Sequence, residues 1–208
     1  MRSKILNIVL LLVFAIDLFY VCKNENDLRF FTKTLLLPIL FLIYISGAKS
    51  GKVQLSNFFV AGLILSFLGD FFLLFKWGFL PGLGSFLGAH LFYIISFKKR
   101  QQHRVSKIWP IILSVYALLL LVFLFPYLKE MKIPVSIYAV VICTMMYTAI
   151  KTHNKNLIAG ALLFVISDTL LSVTLFLQQS MMLSLLVMIT YVSAQWFLVK
   201  GMLSVKNN

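Results

Sequence analysis

Charge is scarce in this chain, and negative charge scarcer still: six Asp and Glu stand against nineteen Lys and Arg in 208 residues. Only 12% of the residues are charged while 61% are hydrophobic, with a mean hydropathy of +0.98. That leaves too little polar surface to cover a soluble domain of this length. Cysteine is nearly absent too, and Cys22, at a helix end, and Cys143, inside an apolar run, make no disulfide framework. No H-E-x-x-H or other clustered metal ligands occur, no G-x-S-x-G, no P-loop and no dinucleotide fingerprint. Zinc-peptidase, serine-hydrolase and nucleotide-dependent chemistries are thereby set aside. Nor does any linker or low-complexity stretch divide the sequence, which reads as a single integral membrane domain over residues 1–208.

What is present is a series of apolar segments, at roughly 5–22, 30–48, 57–75, 78–97, 108–127, 133–150, 157–177 and 181–203. Each is near the about 20 residues that a membrane-spanning helix requires. The expected fold is all-α and polytopic, with eight transmembrane helices. Arg2 and Lys4 precede the first run as in a signal peptide, but no small-x-small cleavage pattern follows, so it reads as an uncleaved span. With the N-terminus in the cytoplasm, thirteen basic residues fall on the cytoplasmic side and six outside. The positive-inside rule then places both termini in the cytoplasm. The densest basic run, Lys98-Lys99-Arg100-Gln101-Gln102-His103-Arg104, is a topology signal first and a contact for anionic lipid headgroups second. Distributed this way, the net charge of +13 gives no reason to expect nucleic acid as a partner. The expected location is a cell membrane, specifically a bacterial inner membrane.

Three of the rare acids lie inside apolar runs. Asp70 sits in GLILSFLGDFFLL and Asp168 in GALLFVISDTLLS. Both have a glycine eight residues before, a leucine five before, a small residue immediately before and a leucine three after. Tyr93 and Tyr191 each follow 23 residues later, which suggests two parallel four-helix repeats. An intramembrane acid costs several kcal/mol and usually serves a pathway or a site. Asp17, nearer a helix end, is expected to reach water and to be structural or peripheral. Lys33 is expected to snorkel to the interface, with contact to a phosphate as its functional reading. Residues three and four apart share a helix face, so His90 points with Tyr93, Tyr191 with Gln195, and Gly62 with Ser66 and Asp70. Gly78, Gly82, Gly84 and Gly88 carry two G-x-x-x-G spacings suited to close helix approach. At 1.5 Å per residue, Asp17 and Asp70 lie about 7 Å and Asp168 about 13 Å from the outer ends of their spans, with His90 at about 18 Å. One polar cavity in the outer half of the bilayer is expected.

A pair of buried carboxyls suits hydrolysis through an oxocarbenium-like state, in which one acid donates a proton and the other carboxylate activates water. Intramembrane acids also suit a small-solute or lipid transporter, and a non-catalytic lipid-binding protein is a third possibility.

The ordered series Leu68-Gly69-Asp70-Phe71-Phe72-Leu73, Gly82-Leu83-x-x-Phe86-Leu87-x-x-His90-x-x-Tyr93, Gly160-Ala161-Leu162-Leu163-Phe164-x-x-Ser167-Asp168 and Tyr191-x-x-Ala194-Gln195 resembles the YhhN-type lysoplasmalogenase family. The resemblance covers roughly residues 30–200. It implies an eight-helix membrane hydrolase that cleaves the vinyl ether bond of lysoplasmalogens to a fatty aldehyde and a glycerophospho-base. The implied partners are a lysophospholipid substrate and membrane lipids, and no metal or organic cofactor is required. Asp70 and Asp168 would be catalytic, and His90, Tyr93, Tyr191, Gln195 and Lys33 would bind substrate. The family's lysine–proline segment is matched at Lys33 with its proline displaced to Pro38.

Overall fold

Short polar side chains set where two of the helices begin. Ser56 Oγ accepts from Phe59 N at 3.3 Å, and Asn154 Oδ1 accepts from Asn156 N and Leu157 N at 3.0 and 3.2 Å. Each satisfies backbone donors that a helix start leaves unpaired. Asn154 also donates from Nδ2 to Gly201 O and Ser204 Oγ, fastening the start of one helix to the end of another.

The structure, a computed structural model, describes residues 2–23, 25–100 and 102–204. Gln101, part of the basic run above, and Lys206, one of the thirteen basic residues counted on the cytoplasmic side, lie outside the described residues, as do the side chains of Arg2 and Asp27. Among the described residues the chain forms α1 (Arg2–Lys23), α2 (Asn26–Gly51), α3 (Asn57–Phe72), α4 (Phe79–Lys98), α5 (Ile108–Leu124), α6 (Lys132–Lys151), α7 (Lys155–Phe176) and α8 (Met181–Ser204), with a 3₁₀ turn at Lys129–Met131 before α6. Six of these are long and apolar enough to cross a membrane, while α3 and α5 are shorter apolar helices of 16 and 17 residues.

Both short helices stop about one turn before the ends of the apolar runs that contain them, at Phe72 and Leu124. Beyond Phe72 the backbone winds through successive tight turns, Leu74 N to Phe71 O, Phe75 N to Phe72 O and Gly78 N to Phe75 O. Only glycine fits the last of these, because a Cβ on Gly78 would lie 1.8 Å from Phe72 O. In α5, Pro126 ends the helix, since its ring cannot follow the preceding turn and it has no N–H to donate.

α2, α3, α4, α6, α7 and α8 pack in a closed ring, each against the next. α1 lies outside against α2 and α8, and α5 lies outside against α6 and α7. The outer helices carry the apolar surface that lipid would cover: Leu11 and Leu12 on α1, Leu118, Leu119 and Val122 on α5 are more than half exposed. Neighbour relations in the first four helices recur in the last four. α1–α2 corresponds to α5–α6, α2–α3 to α6–α7, α3–α4 to α7–α8, and α2–α8 to α6–α4. The inside of the ring holds most of the core and, among the buried polar residues, Ser66, Asp70, His90 and Gln195.

Of the spaced glycines in α4, Gly88 lies against Leu65 and Gly82 against Leu73 and Gly69 O, where α4 approaches α3 and the turn beyond it. Gly84 meets nothing within 4 Å and takes no part in that approach.

Candidate active site

Within the ring of helices lie two polar clusters with one aspartate each. In the first, Tyr191 on α8 donates its hydroxyl to Asp70 Oδ2 at 2.7 Å, and Lys33 Nζ on α2 stands 3.8 Å from Asp70 Oδ1. Lys33 therefore does not snorkel to the interface as its position suggested. Its ammonium turns inward because a buried carboxylate offers a counter-charge there, and only 13% of its side chain is exposed.

In the second cluster, Tyr138 on α6 donates to Asp168 Oδ2 in a short hydrogen bond. His90 Nε2 on α4 lies 2.8 Å from the same phenol oxygen and 3.4 Å from Asp168 Oδ2. His90 Nε2 thus faces the Tyr138 hydroxyl and the Asp168 carboxyl together. Both contacts to Asp168 address Oδ2.

Tyr93 and Gln195 form a third group beside these. Tyr93 donates to Gln195 Oε1 at 3.0 Å and receives the Ser66 hydroxyl at 3.2 Å. Gly62 makes room for this, since a Cβ there would lie 2.4 Å from Tyr93 Cε1. His90 and Tyr93 do sit side by side, 6.4 Å between ring centroids, but they serve different partners. Among the described residues, two buried atoms of these groups, His90 Nδ1 and Gln195 Nε2, lie within hydrogen-bonding geometry of no protein atom. They are the polar atoms that a substrate or a water can engage.

Phe164 stands between the clusters. Its ring meets His90 edge-on at 4.7 Å and Tyr191 edge-on at 5.4 Å. Each aspartate thus has its own phenol, and a nitrogen partner of its own in Lys33 or His90.

Asp17 does not reach water. It is completely buried, accepts from the Thr32 hydroxyl at 2.8 Å and faces Arg29 Nε at 3.8 Å. These contacts clamp α1 to α2 near the Lys33–Asp70 pair. Among the described residues no three His, Cys, Asp or Glu side chains gather as metal ligands would.

Tyr138 is the site residue that sequence reasoning missed. The segment 133–150 reads as an ordinary apolar span, and tyrosines are common in such spans near the interface. Its spacing from Val135 and Ile142 on one helix face was the only available signal that it points inward.

Two narrow cavities, of about 40 and 60 Å³, adjoin Asp168. Asp70 borders neither of them, and its side chain is 5% exposed against 12% for Asp168.

The model of the YhhN family matches residues 28–202. Lysoplasmalogenase TMEM86B of Homo sapiens is 30% identical over 185 residues, covering 82% of this chain and 75% of that protein. The lysoplasmalogenase TMEM86B of Sus scrofa is 31% identical over 159 residues, covering 76% of this chain and 69% of that protein. A protein named lysoplasmalogenase homolog, from Dictyostelium discoideum, is 29% identical over 157 residues, covering 62% of this chain and 52% of that protein. No solved structure matches the chain.

Proposed function

The chain belongs to the YhhN family, and on that premise we propose that it is a membrane hydrolase that cleaves the vinyl ether bond of a lysoplasmalogen to a fatty aldehyde and a glycerophospho-base. The observation that carries this reading is the pair of aspartates enclosed in the helix ring, each held by a tyrosine hydroxyl, one faced by the Lys33 ammonium and the other by the His90 imidazole.

The chemistry asks for one neutral carboxylic acid and one carboxylate. The acid gives its proton to the outer alkenyl carbon, forming a C–H bond and leaving the positive charge shared between the inner carbon and the ether oxygen. Water adds to that carbon and loses its proton to the carboxylate, giving a hemiacetal. The hemiacetal then collapses: the newly protonated carboxyl passes its proton to the ether oxygen as the C–O bond breaks, and the hemiacetal hydroxyl gives its proton to the first aspartate, leaving aldehyde and alcohol and restoring the acid. Asp70 and Asp168 supply the two carboxyls in this scheme. Lys33 and Tyr191 orient Asp70, while His90 and Tyr138 orient Asp168. Tyr93 and Gln195, with the open amide nitrogen of Gln195, position substrate or water. No step calls for a metal or an organic cofactor.

In the same reading α3 and α5 also cross the bilayer, giving eight spans and two cytoplasmic termini. At about 1.5 Å per residue they are about 24–26 Å long, short of the ~30 Å hydrocarbon core, and the turns that follow them complete the crossing. The recurring neighbour relations support two parallel four-helix repeats that bring Asp70 and Asp168 to equivalent places.

The test is aldehyde release from lysoplasmalogen by the purified full-length protein in detergent. Asp70→Asn and Asp168→Asn should each abolish turnover. The double variant should be hardly worse than either single one, as for groups that act together. Substantial activity in both single variants would remove the aspartates from the mechanism.

A further inference from the structure

The two cavities at Asp168 differ from the polar clusters in what lines them. One runs between α5, α6 and α7, past Leu120, Leu121, Leu124, Ile142 and Val165. The other runs between α4, α6 and α7, past Leu83, Phe86, Leu171, Leu175 and Phe176. They share Val135, Tyr138, Asp168 and Ser172, and Asp168 is the one charged side chain lining either. No lysine or arginine is there to hold a phosphate, so a headgroup has no reason to enter.

Resting on the hydrolase reading, we propose that these cavities seat the hydrocarbon chain of the substrate, a single unbranched chain loaded sideways from the bilayer past α5. α5 suits such an entry because it lies outside the ring, leans on α6 and makes its sparser contacts with α7. Leu120, Leu121 and Leu124 of α5 line one of the cavities, while Leu118 and Leu119 of the same helix are more than half exposed on its outer side. At about 40 and 60 Å³ the cavities take only the part of one chain that lies beside Asp168 and leave no room for a second. A chain lying there brings its first, alkenyl carbons to the Asp168 carboxyl, whose Oδ2 is taken by Tyr138 and His90. The polar end of the molecule then points away from the cavities, toward the side of the site where Lys33 stands.

A rival seat exists. A wider groove of about 410 Å³ between α1 and α8 is lined by Asn7, Leu10, Phe14, Ser193, Trp196 and Lys200. It offers a cation and no acid, which suits a bound bilayer lipid and not the reacting one.

The full-length protein in nanodiscs would be photolabelled with a saturated 1-O-alkyl lysophosphocholine carrying a diazirine at its chain end. That probe lacks the alkenyl carbon and is not consumed. Adducts should map to α5, α6 and α7 peptides bordering the cavities and be competed by unlabelled lysoplasmalogen. Adducts confined to the α1–α8 groove, or spread over the lipid-facing surface without competition, overturn the proposal. Ser172→Phe narrows both cavities and should lower kcat/KM at least tenfold, mainly through KM, with the preferred chain becoming shorter. Ser193→Phe, in the rival groove, should leave kinetics unchanged; the reverse pattern overturns the seat. If Ser172→Phe does not run as a single species on gel filtration, Ser172→Leu makes the same test with less bulk. The two readings fail separately. Competed cavity labelling without aldehyde release by the wild type supports the seat and removes the hydrolase, whereas aldehyde release with labelling elsewhere removes the seat alone.

Discussion

Lys33 and Asp70 form an ion pair between α2 and α3, 3.8 Å apart and almost closed off from the surroundings. Among the described residues Asp168 has no lysine or arginine partner; its neighbours are a phenol and an imidazole. The two aspartates are therefore predicted to differ in what they do for stability. Removing one member of a buried pair costs about 3–5 kcal/mol when burial is complete. Asp17 also lies within electrostatic reach of Lys33 and softens the loss. Asp70→Asn should accordingly lower the unfolding temperature in detergent more than Asp168→Asn. Lys33→Met combined with Asp70→Asn should recover part of that loss. Equal losses for the two aspartates, or no recovery in the pair, would count against a structural ion pair.

Tyr138 touches both Asp168 and His90, so its hydroxyl is predicted to fix the geometry of the second cluster. Tyr138→Phe keeps the ring and removes only that link. A misplacement of about 1 Å near the chemistry can cost ~100-fold, and a drop in kcat of about ten- to a hundredfold is expected, with KM little changed. His90→Ala should lower kcat by a comparable factor, and the two changes together should fall short of their product because they share one network. Fully multiplicative losses would show that the two residues act separately.

Much of this site was legible because charge in an apolar helix is conspicuous. Asp70 and Asp168 stand out in the sequence by cost alone, and the matched glycine, leucine and tyrosine offsets joined them to Tyr93 and Tyr191. Pairings across helices were not legible, because helix periodicity gives a residue's face and not what faces it. Lys33 shows this: a lysine near a helix end snorkels unless a buried acid stands opposite, and the acid lies 37 positions away in sequence. Asp17 is misplaced by sequence for the same reason, since Thr32 and Arg29 on the next helix close over it. The early ends of α3 and α5 come from local turn geometry at Gly78 and Pro126, which hydropathy alone does not register.

Gly62 and Gly84 should respond oppositely to alanine. At Gly62 the new Cβ would stand 2.4 Å from Tyr93 Cε1, so the ring must move and its bond to Gln195 with it. Overpacking of this kind costs about 1–3 kcal/mol, and activity should fall alongside stability. At Gly84 nothing lies within 4 Å. Alanine there is expected to be neutral or to stabilise by about 0.5–1 kcal/mol through the lower entropy of the unfolded helix. Thermal unfolding and aldehyde release, measured on both variants, check the contrast; matching effects would contradict it.

The asymmetry of basic residues predicts that the loop before α5 faces the cytoplasm and the loop before α8 faces outward. Ser106 and Gln179 are exposed in these loops. Replacing each with cysteine, in a background lacking the exposed Cys22 and the buried Cys143, permits labelling with a membrane-impermeant thiol reagent. Gln179→Cys should label in intact cells and Ser106→Cys only after permeabilisation. Labelling from the same side would overturn the eight-span topology.

The proposed chemistry predicts where oxygen from water ends up. If a carboxyl protonates the alkenyl carbon, water attacks the carbon that becomes the aldehyde and the bond from glycerol to its own oxygen stays whole. Hydrolysis in oxygen-18 water should then label the fatty aldehyde, trapped before it exchanges with solvent, and leave the glycerol hydroxyl unlabelled. An acyl-enzyme has no place in this route, because no serine or cysteine nucleophile signature accompanies the paired acids. Fluorophosphonates should consequently leave activity intact. An ester-linked lysophospholipid should be a poor substrate, as it offers no alkenyl carbon to protonate. Label in the glycerol, comparable cleavage of the ester, or inactivation through a serine adduct would each refute the two-aspartate mechanism. Label confined to the aldehyde also separates this route from direct displacement at the glycerol carbon, in which the incoming oxygen would stay with the phospholipid fragment.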